Sequence, residues 1–337
     1  MSRSDVSLDD LTAARSVDIA EIPLIDFAPF VEGSPSGRQK VADEIAEACQ
    51  RIGFFYLKNH GVPQRLIDAA FEHSRSFFEL PDDRKAECGI SDDNHRGWLR
   101  PQPGPTLSRN SRVYEQFRIQ LELLEPAAGV PENSFLYRPN RWPSLLPGFR
   151  STCEAYYAEM LKLSATLMHA FALGVGLPPD RFDGYFNQPM CQISLLYYPS
   201  LPDDVDIDVT NTVSHTDEGP LTILAQDNIG GLEVKRRDGT WIAAPPIEGA
   251  YTINVGDMMM NWTNGRYKSN LHRVRNKSHR KRYSIPFFLN PDYATVVEPL
   301  AEFHAADGEA RYQPLHVGNH MSRFYTAVLK EPVGKAS

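Results

Sequence analysis

Cysteine is scarce in this chain of 337 residues: four occur, Cys49, Cys88, Cys153 and Cys191, far apart and without a C-x-x-C pair. That spacing excludes a disulfide scaffold and a zinc knuckle, and it fits a reducing compartment. No apolar run reaches the roughly 18 residues that a membrane span needs. The opening stretch MSRSDVSLDDLTAARSVD carries acids where a secretory leader carries an apolar core. A cytoplasmic protein with no membrane partner is therefore expected. Positive charge is also short, with 35 Lys and Arg against 43 Asp and Glu, a net charge of −8. Such a field disfavours phosphate backbones, and the densest basic stretch, Arg273 to Arg282, is brief; nucleic acid is not an expected partner. Repeats and low-complexity blocks are absent as well. What remains, 42% apolar and 23% charged residues, is ordinary globular composition.

The first 20 residues read as a flexible arm, and residues 21–337 as a single domain. Ile22 to Phe27 reads as a short buried strand. Gly37 to Arg51 has helical spacing, with Val41, Ile45 and Ala48 on one face, and Gly53 ends it. Phe54 to Gly61 reads as a second strand. Pro63 opens a helix running to about Leu80, at a position where the missing N–H costs nothing. A longer helix is predicted over Phe149 to Leu173. From Gln192 the texture changes to short β-branched and aromatic segments, with hairpin signals at Asp238-Gly239 and Asn264-Gly265. Met258 to Met260 reads as part of one of these strands. Six or more such strands suggest an antiparallel sandwich or barrel. The expected fold is α+β, a jelly-roll core (a double-stranded β-helix) flanked by N-terminal helices and a long central helix.

The most informative stretch is HTDEG, His215 to Gly219. Residues two apart on a strand share a face, so His215 and Asp217 can reach one point. A third ligand from a neighbouring strand would complete a 2-His-1-carboxylate facial triad, the arrangement that holds Fe(II) with open positions. His272, in RYKSNLHRV, is the candidate. Ten residues on stand Arg282 and Ser284, again on one face, an arginine beside a hydroxyl that makes a bidentate carboxylate clamp. An H-x-D alone is weak; the five residues together are strong.

This ordered set resembles the isopenicillin N synthase-like branch of the Fe(II)/2-oxoglutarate-dependent oxygenases. IPLIDF, GFFYLKNHGVP and FFELPDDRK are similar to that family's N-terminal region, here placed at 21–150. LYYP, HTDEGPLTIL, GGLEV, INVGDMM, SNLHRV and RYSIPFFLNP are similar to its catalytic core, placed at 185–295, with 296–337 as a C-terminal segment. The resemblance implies that His215, Asp217 and His272 are the iron ligands. It implies that Arg282 and Ser284 bind the distal carboxylate of 2-oxoglutarate, with Tyr198 assisting. One departure stands out: many plant members carry Asn where this chain has Leu196. The implied cofactors are Fe(II), 2-oxoglutarate as cosubstrate, and O2. The implied reaction oxidises an unactivated C–H of a small molecule, by hydroxylation, desaturation or cyclisation, with release of succinate and CO2.

Rival readings are a 2-oxoglutarate-independent oxidase of isopenicillin N synthase type and a non-catalytic small-molecule-binding jelly roll. The tail Arg323 to Ser337 holds no glutamine of the kind that ligates iron in isopenicillin N synthase, which favours the cosubstrate-using reading. A mere binder has no chemical need for all five residues. Family geometry places the substrate pocket near Arg96 to Arg100, along Tyr114 to Gln120, and near Ser194, Leu232, Phe287 and Leu289. Of these, Arg96, Arg118, Leu232 and Phe287 are the candidate substrate-binding residues. Arg96, Arg100 and Arg118 suit an acidic or amino-acid-like substrate, although each equally suits a surface arginine held by nearby acids. His60 reads as a structural or loop residue. Nothing in the strand pattern demands a second copy of the chain, so a monomer is expected.

Overall fold

The computed structural model describes residues 21–101, 114–123, 129–131, 134–200, 214–276, 278, 280–304 and 308–330. The expected arm over residues 1–20 lies outside them. Helix α1, Pro35–Arg51, starts two residues before the expected glycine because Ser34 caps it: its Oγ accepts from the Gly37 amide at 3.2 Å, with Pro at the first helical position. Its buried stripe, Val41, Ala42, Ile45, Ala46, Ala48 and Cys49, packs on the 26-residue helix α3, Phe149–Gly174. Between them in sequence, α2 spans Gln64–Phe78 behind Pro63. A C-terminal helix, α4, covers Val317–Lys330. Among the described residues no helix is long and apolar enough to cross a membrane.

The strands are β1 Leu24–Asp26, β2 Phe54–Lys58, β3 Gly97–Leu99, β4 Glu115–Gln120, β5 Gln192–Tyr198, β6 Leu221–Gln226, β7 Leu232–Lys235, β8 Trp241–Ala243, β9 Ala250–Val255, β10 His272–Val274 and β11 Arg282–Leu289. Eight form one sheet in the order β1-β2-β9-β6-β11-β5-β4-β3, antiparallel except for β1 with β2. A smaller sheet, β10-β7-β8, belongs to the second wall of the jelly roll. One core lies between the large sheet and the helices, where the rings of Phe77 (α2), Phe117 (β4) and Phe149 (α3) meet at centroid separations of 4.7 to 5.7 Å. A second, smaller core of Phe54, Tyr56, Leu232, Val234 and Ile242 joins the two sheets.

Alternation along β11 decides what reaches the site. Arg282, Ser284, Pro286 and Phe288 line the cavity, while Tyr283, Ile285, Phe287 and Leu289 pack into the helix-side core. Phe287 is fully buried against the Tyr157 ring, 5.8 Å away. The expected pocket roles of Phe287 and Leu289 are therefore wrong: the same parity that aims Arg282 inward turns both of them away. Two other expectations fail. Met258 to Met260 lie in a short helix, Asp257–Trp262, rather than a strand. Asn264-Gly265 then closes that helix, with φ of 49° and 80° and the Gly265 amide on the Met260 carbonyl, instead of joining two strands. Asp238-Gly239 does join β7 to β8 as a hairpin.

Candidate active site

His215 is not in a regular strand. It forms a single bridge with the first residue of β10, its amide on the His272 carbonyl at 3.0 Å and the reverse bond at 2.9 Å. That bridge sets the two imidazoles 4.3 Å apart. Asp217 stands opposite, its Oδ1 3.7 Å from Nε2 of each histidine. One ligand atom from each of the three lies within 4.8 Å of the others. Two imidazoles and one carboxylate converging on one point fit Fe(II).

Supporting contacts fix the orientation of Asp217 and His272. Asp217 Oδ2 accepts from Thr222 Oγ1 at 2.6 Å and from Asn254 Nδ2 at 2.7 Å, leaving Oδ1 for the metal. His272 Nδ1 lies 3.2 Å from the Asn270 carbonyl, which can only accept; the proton sits on Nδ1 and Nε2 keeps its lone pair. Burial lowers the His272 pKa below the usual imidazole range, against the pull of Asp217. Burial pushes the Asp217 carboxyl up, but the two imidazoles, Asn254 and Thr222 outweigh it and hold the group below the usual carboxylate range. Both ligands thus favour the metal-binding form. The loop after Asp217 is pinned by the Asp257 amide on the Asp217 carbonyl at 2.8 Å. It passes so near Gly256 that a Cβ there would sit 2.1 Å from the Gly219 carbonyl oxygen.

Arg282 shares this cavity, which holds about 150 Å3. Its guanidinium is 1% exposed and is held on three sides: Nε donates to the Gly230 carbonyl at 2.6 Å, Nη1 to Ser284 Oγ at 3.1 Å, and Nη2 to Gln226 Oε1 at 3.2 Å. Gly230 and Gly231 carry φ of 79° and 94°, a turn that brings the accepting carbonyl into place. A guanidinium has five N–H donors, so one on each Nη remains for a carboxylate. Tyr198, opposite Arg282 across β5 and β11, places its ring 4.8 Å below the charge. Leu196 lines the cavity beside it.

The remaining candidates divide. Leu232 lines the cavity, as do Tyr114 and Gln116. Arg118 and Ser194 are buried on the same sheet face, beyond Gln116. Arg96 is buried near them and is not a surface arginine, whereas Arg100 is: it pairs with Asp82 at 3.0 Å over the Trp98 ring. His60 takes the Val62 amide on Nδ1 and packs at a tilt against the Tyr251 ring, contacts within its own loop and the adjoining strand. Sequence reasoning missed Thr222, Asn254, Gln226 and Gly230. Thr222 and Asn254 face each other across β6 and β9, and two polar residues inside apolar strands were the available signal.

A jelly roll with two histidines, one carboxylate and a buried arginine in a single cavity defines a non-haem iron oxygenase. Residues 22–145 match the model of the non-haem dioxygenase in morphine synthesis N-terminal region, and residues 189–291 match that of the 2OG-Fe(II) oxygenase superfamily. The chain is 34% identical to the 2-oxoglutarate-Fe(II) type oxidoreductase ppzC of Metarhizium rileyi, covering 93% of this chain and 88% of that one. It is 32% identical to the homoarginine-6-hydroxylase 2-ODD-233 of Oryza sativa subsp. japonica, with coverages of 90% and 96%. Among solved structures, a full-length Neurospora crassa protein in complex with alpha-KG and thymine superposes with a TM-score of 0.81 at 30% identity, covering 91% of this chain and 97% of that one. The chain belongs to the 2OG-Fe(II) oxygenase superfamily. It is an Fe(II)- and 2-oxoglutarate-dependent dioxygenase that couples O2 to substrate oxidation.

Proposed function

We propose that His215, Asp217 and His272 hold the iron, that Arg282 with Ser284 takes the distal carboxylate of 2-oxoglutarate, and that Tyr198 packs against that charge. The observation that carries this reading is the Arg282 guanidinium, buried in the cavity of the His–Asp–His set with three acceptors and two N–H groups to spare. When bound, the metal supplies O2 activation coupled to oxidative decarboxylation of the cosubstrate to succinate and CO2. The chain's own part is geometric. Thr222 and Asn254 hold Asp217, Asn270 sets the His272 tautomer, and Gly230, Ser284 and Gln226 aim the clamp. Leu196, Leu224, Leu232 and Val274 give the cavity apolar walls that limit water.

The substrate in this reading is a small molecule, in keeping with the thymine bound in the Neurospora crassa structure. An acidic or amino-acid-like one suits the buried arginines beside the cavity. Residues 21–337 are read as one oxygenase domain, supported by a continuous core from Ile25 to Tyr325, with 185–295 carrying the site. Four free, buried cysteines support a reducing, cytoplasmic setting. Anaerobic titration with Fe(II) and 2-oxoglutarate tests the site. A visible charge-transfer band is expected, and Arg282→Ala should need far more cosubstrate to produce it. A band that forms equally well in that variant would remove Arg282 from the clamp.

A further inference from the structure

Arg96 differs from the other buried cations. Lys85 pairs with Glu115, and Arg282 has its three acceptors. Arg96 is 1% exposed, yet among the described residues its guanidinium makes one hydrogen bond, Nη2 to the Leu136 carbonyl at 3.0 Å. Among the described residues its Nε and Nη1 find no acceptor, and no carboxylate lies within 4.0 Å. Burial pulls its pKa down to about 10. A buried guanidinium left this way is costly unless something else pairs with it.

Its neighbours lead to the cavity. Gly97, the next residue, lies across the β3–β4 pair from Arg118. Arg118 is 3% exposed, and its guanidinium lies 5.7 Å from the ring of Tyr325 on α4, a residue within electrostatic reach of Arg96 as well. Arg118 Nε donates to Gln116 Oε1 at 3.1 Å, and Gln116 stands in the cavity wall. With that oxygen committed, Gln116 turns Nε2 to Ser194 Oγ at 2.7 Å. Ser194 Oγ also accepts from Gln192 Nε2 at 2.9 Å. A hydroxyl has two acceptor positions, so Ser194 is left only a hydrogen to give. Hydrogen bonding along this wall therefore runs toward donors, and a buried cation stands behind Gln116. The only acid among the described lining residues is Asp217, which belongs to the triad.

We propose that this wall is the anion receptor of the substrate site: Gln116 contacts a carboxylate of the molecule to be oxidised, and Arg118 with Arg96 supplies the charge behind it. The substrate class is then small carboxylic acids, amino acids included. The proposal rests on the oxygenase reading of the cavity and names which end of the substrate is held.

The test is calorimetry on the protein loaded anaerobically with Fe(II) and 2-oxoglutarate, using butyrate and benzoate against their neutral amides. The acids should bind about tenfold tighter or more, the margin of a charge-assisted hydrogen bond. Arg118→Gln should erase that preference, and Arg96→Gln should weaken the acids without affecting the amides. Gln116→Glu, a near-isosteric change that places a fixed carboxylate beside Arg118, should erase it too with little risk to folding. Equal binding of acids and amides overturns the proposal. So does failure of every acid to bind at millimolar concentration, or a preference that survives Gln116→Glu and Arg118→Gln. Loss of 2-oxoglutarate binding in the Arg96 or Arg118 variant would assign these arginines to the cosubstrate and overturn it as well. Failure of the oxygenase reading shows separately, as wild-type protein that does not bind 2-oxoglutarate before any acid is added.

Discussion

Asp217 divides its two oxygens: Oδ2 accepts the Asn254 amide at 2.7 Å, and Oδ1 faces Nε2 of both histidines at 3.7 Å. The division makes a buried carboxylate into a directed ligand, because Asn254 and Thr222 both hold Oδ2. Asn254→Ala should lower Fe(II) affinity by about 10- to 100-fold, the usual cost of removing a ligand's hydrogen-bond partner. Titration with Fe(II), or with Mn(II) as a redox-silent probe, measures it. Unchanged affinity in the Asn254→Ala, Thr222→Val double variant would sink the idea.

Arg282→Lys keeps the charge and discards the fork. Lysine can replace neither the Nε contact to Gly230 nor the paired Nη donors. A loss of about 2 kcal/mol or more in cosubstrate binding is expected, roughly thirtyfold or greater in Kd. Iron binding should be unchanged, since the triad does not touch this residue. A variant with wild-type affinity for 2-oxoglutarate would contradict the clamp.

The parts of this site that sequence made legible are those whose geometry follows from period and spacing. His215 and Asp217 two apart, and Arg282 and Ser284 two apart, report a shared face directly. What stayed hidden needed long-range register. Thr222 meets Asn254 only because β6 pairs with β9, and Gly230 reaches Arg282 only because a two-glycine turn folds back over β11. Phe287 was misjudged although its parity was readable: it follows from the same alternation that placed Arg282. Met258 to Met260 were misread because three apolar residues have no period, and tertiary packing decided for a helix. Arg96 and Arg118 could not be told from surface arginines by sequence, since burial is a property of the packed chain.

Two histidines, His95 buried and His60 half-buried, should make stability fall in mild acid. Burial lowers the pKa of His60 and of His95 from 6.5 to about 4, and Arg118 adds to the effect at His95. In the unfolded chain both take protons as pH drops through 6.5, while the folded forms stay neutral to about 4. The unfolded state thus binds more protons across that window, so stability rises with pH there and is lost as pH falls. Urea midpoints measured from pH 6.5 down to about 4 should decline. The decline should be shallower in His60→Phe, which keeps a ring against Tyr251 without a titrating group. Equal slopes in the two proteins would remove His60 from the account.

Phe287 and Phe288 offer a direct test of which face of β11 does what. Phe287 is fully buried in the helix-side core against Tyr157, while Phe288 lines the cavity. Phe287→Ala should cost about 3–5 kcal/mol of folding stability by opening a void where the surroundings cannot collapse, and it should leave substrate preference alone. Phe288→Ala should behave the other way. The half-buried ring borders space already open, so stability changes by about 1 kcal/mol or less, while the KM for the oxidised substrate moves and that for 2-oxoglutarate does not. Denaturant unfolding beside substrate-stimulated succinate release separates the two. If Phe287→Ala changes substrate choice at full stability, the assignment of faces along β11 is wrong, and with it the inward aim of Arg282 and Ser284.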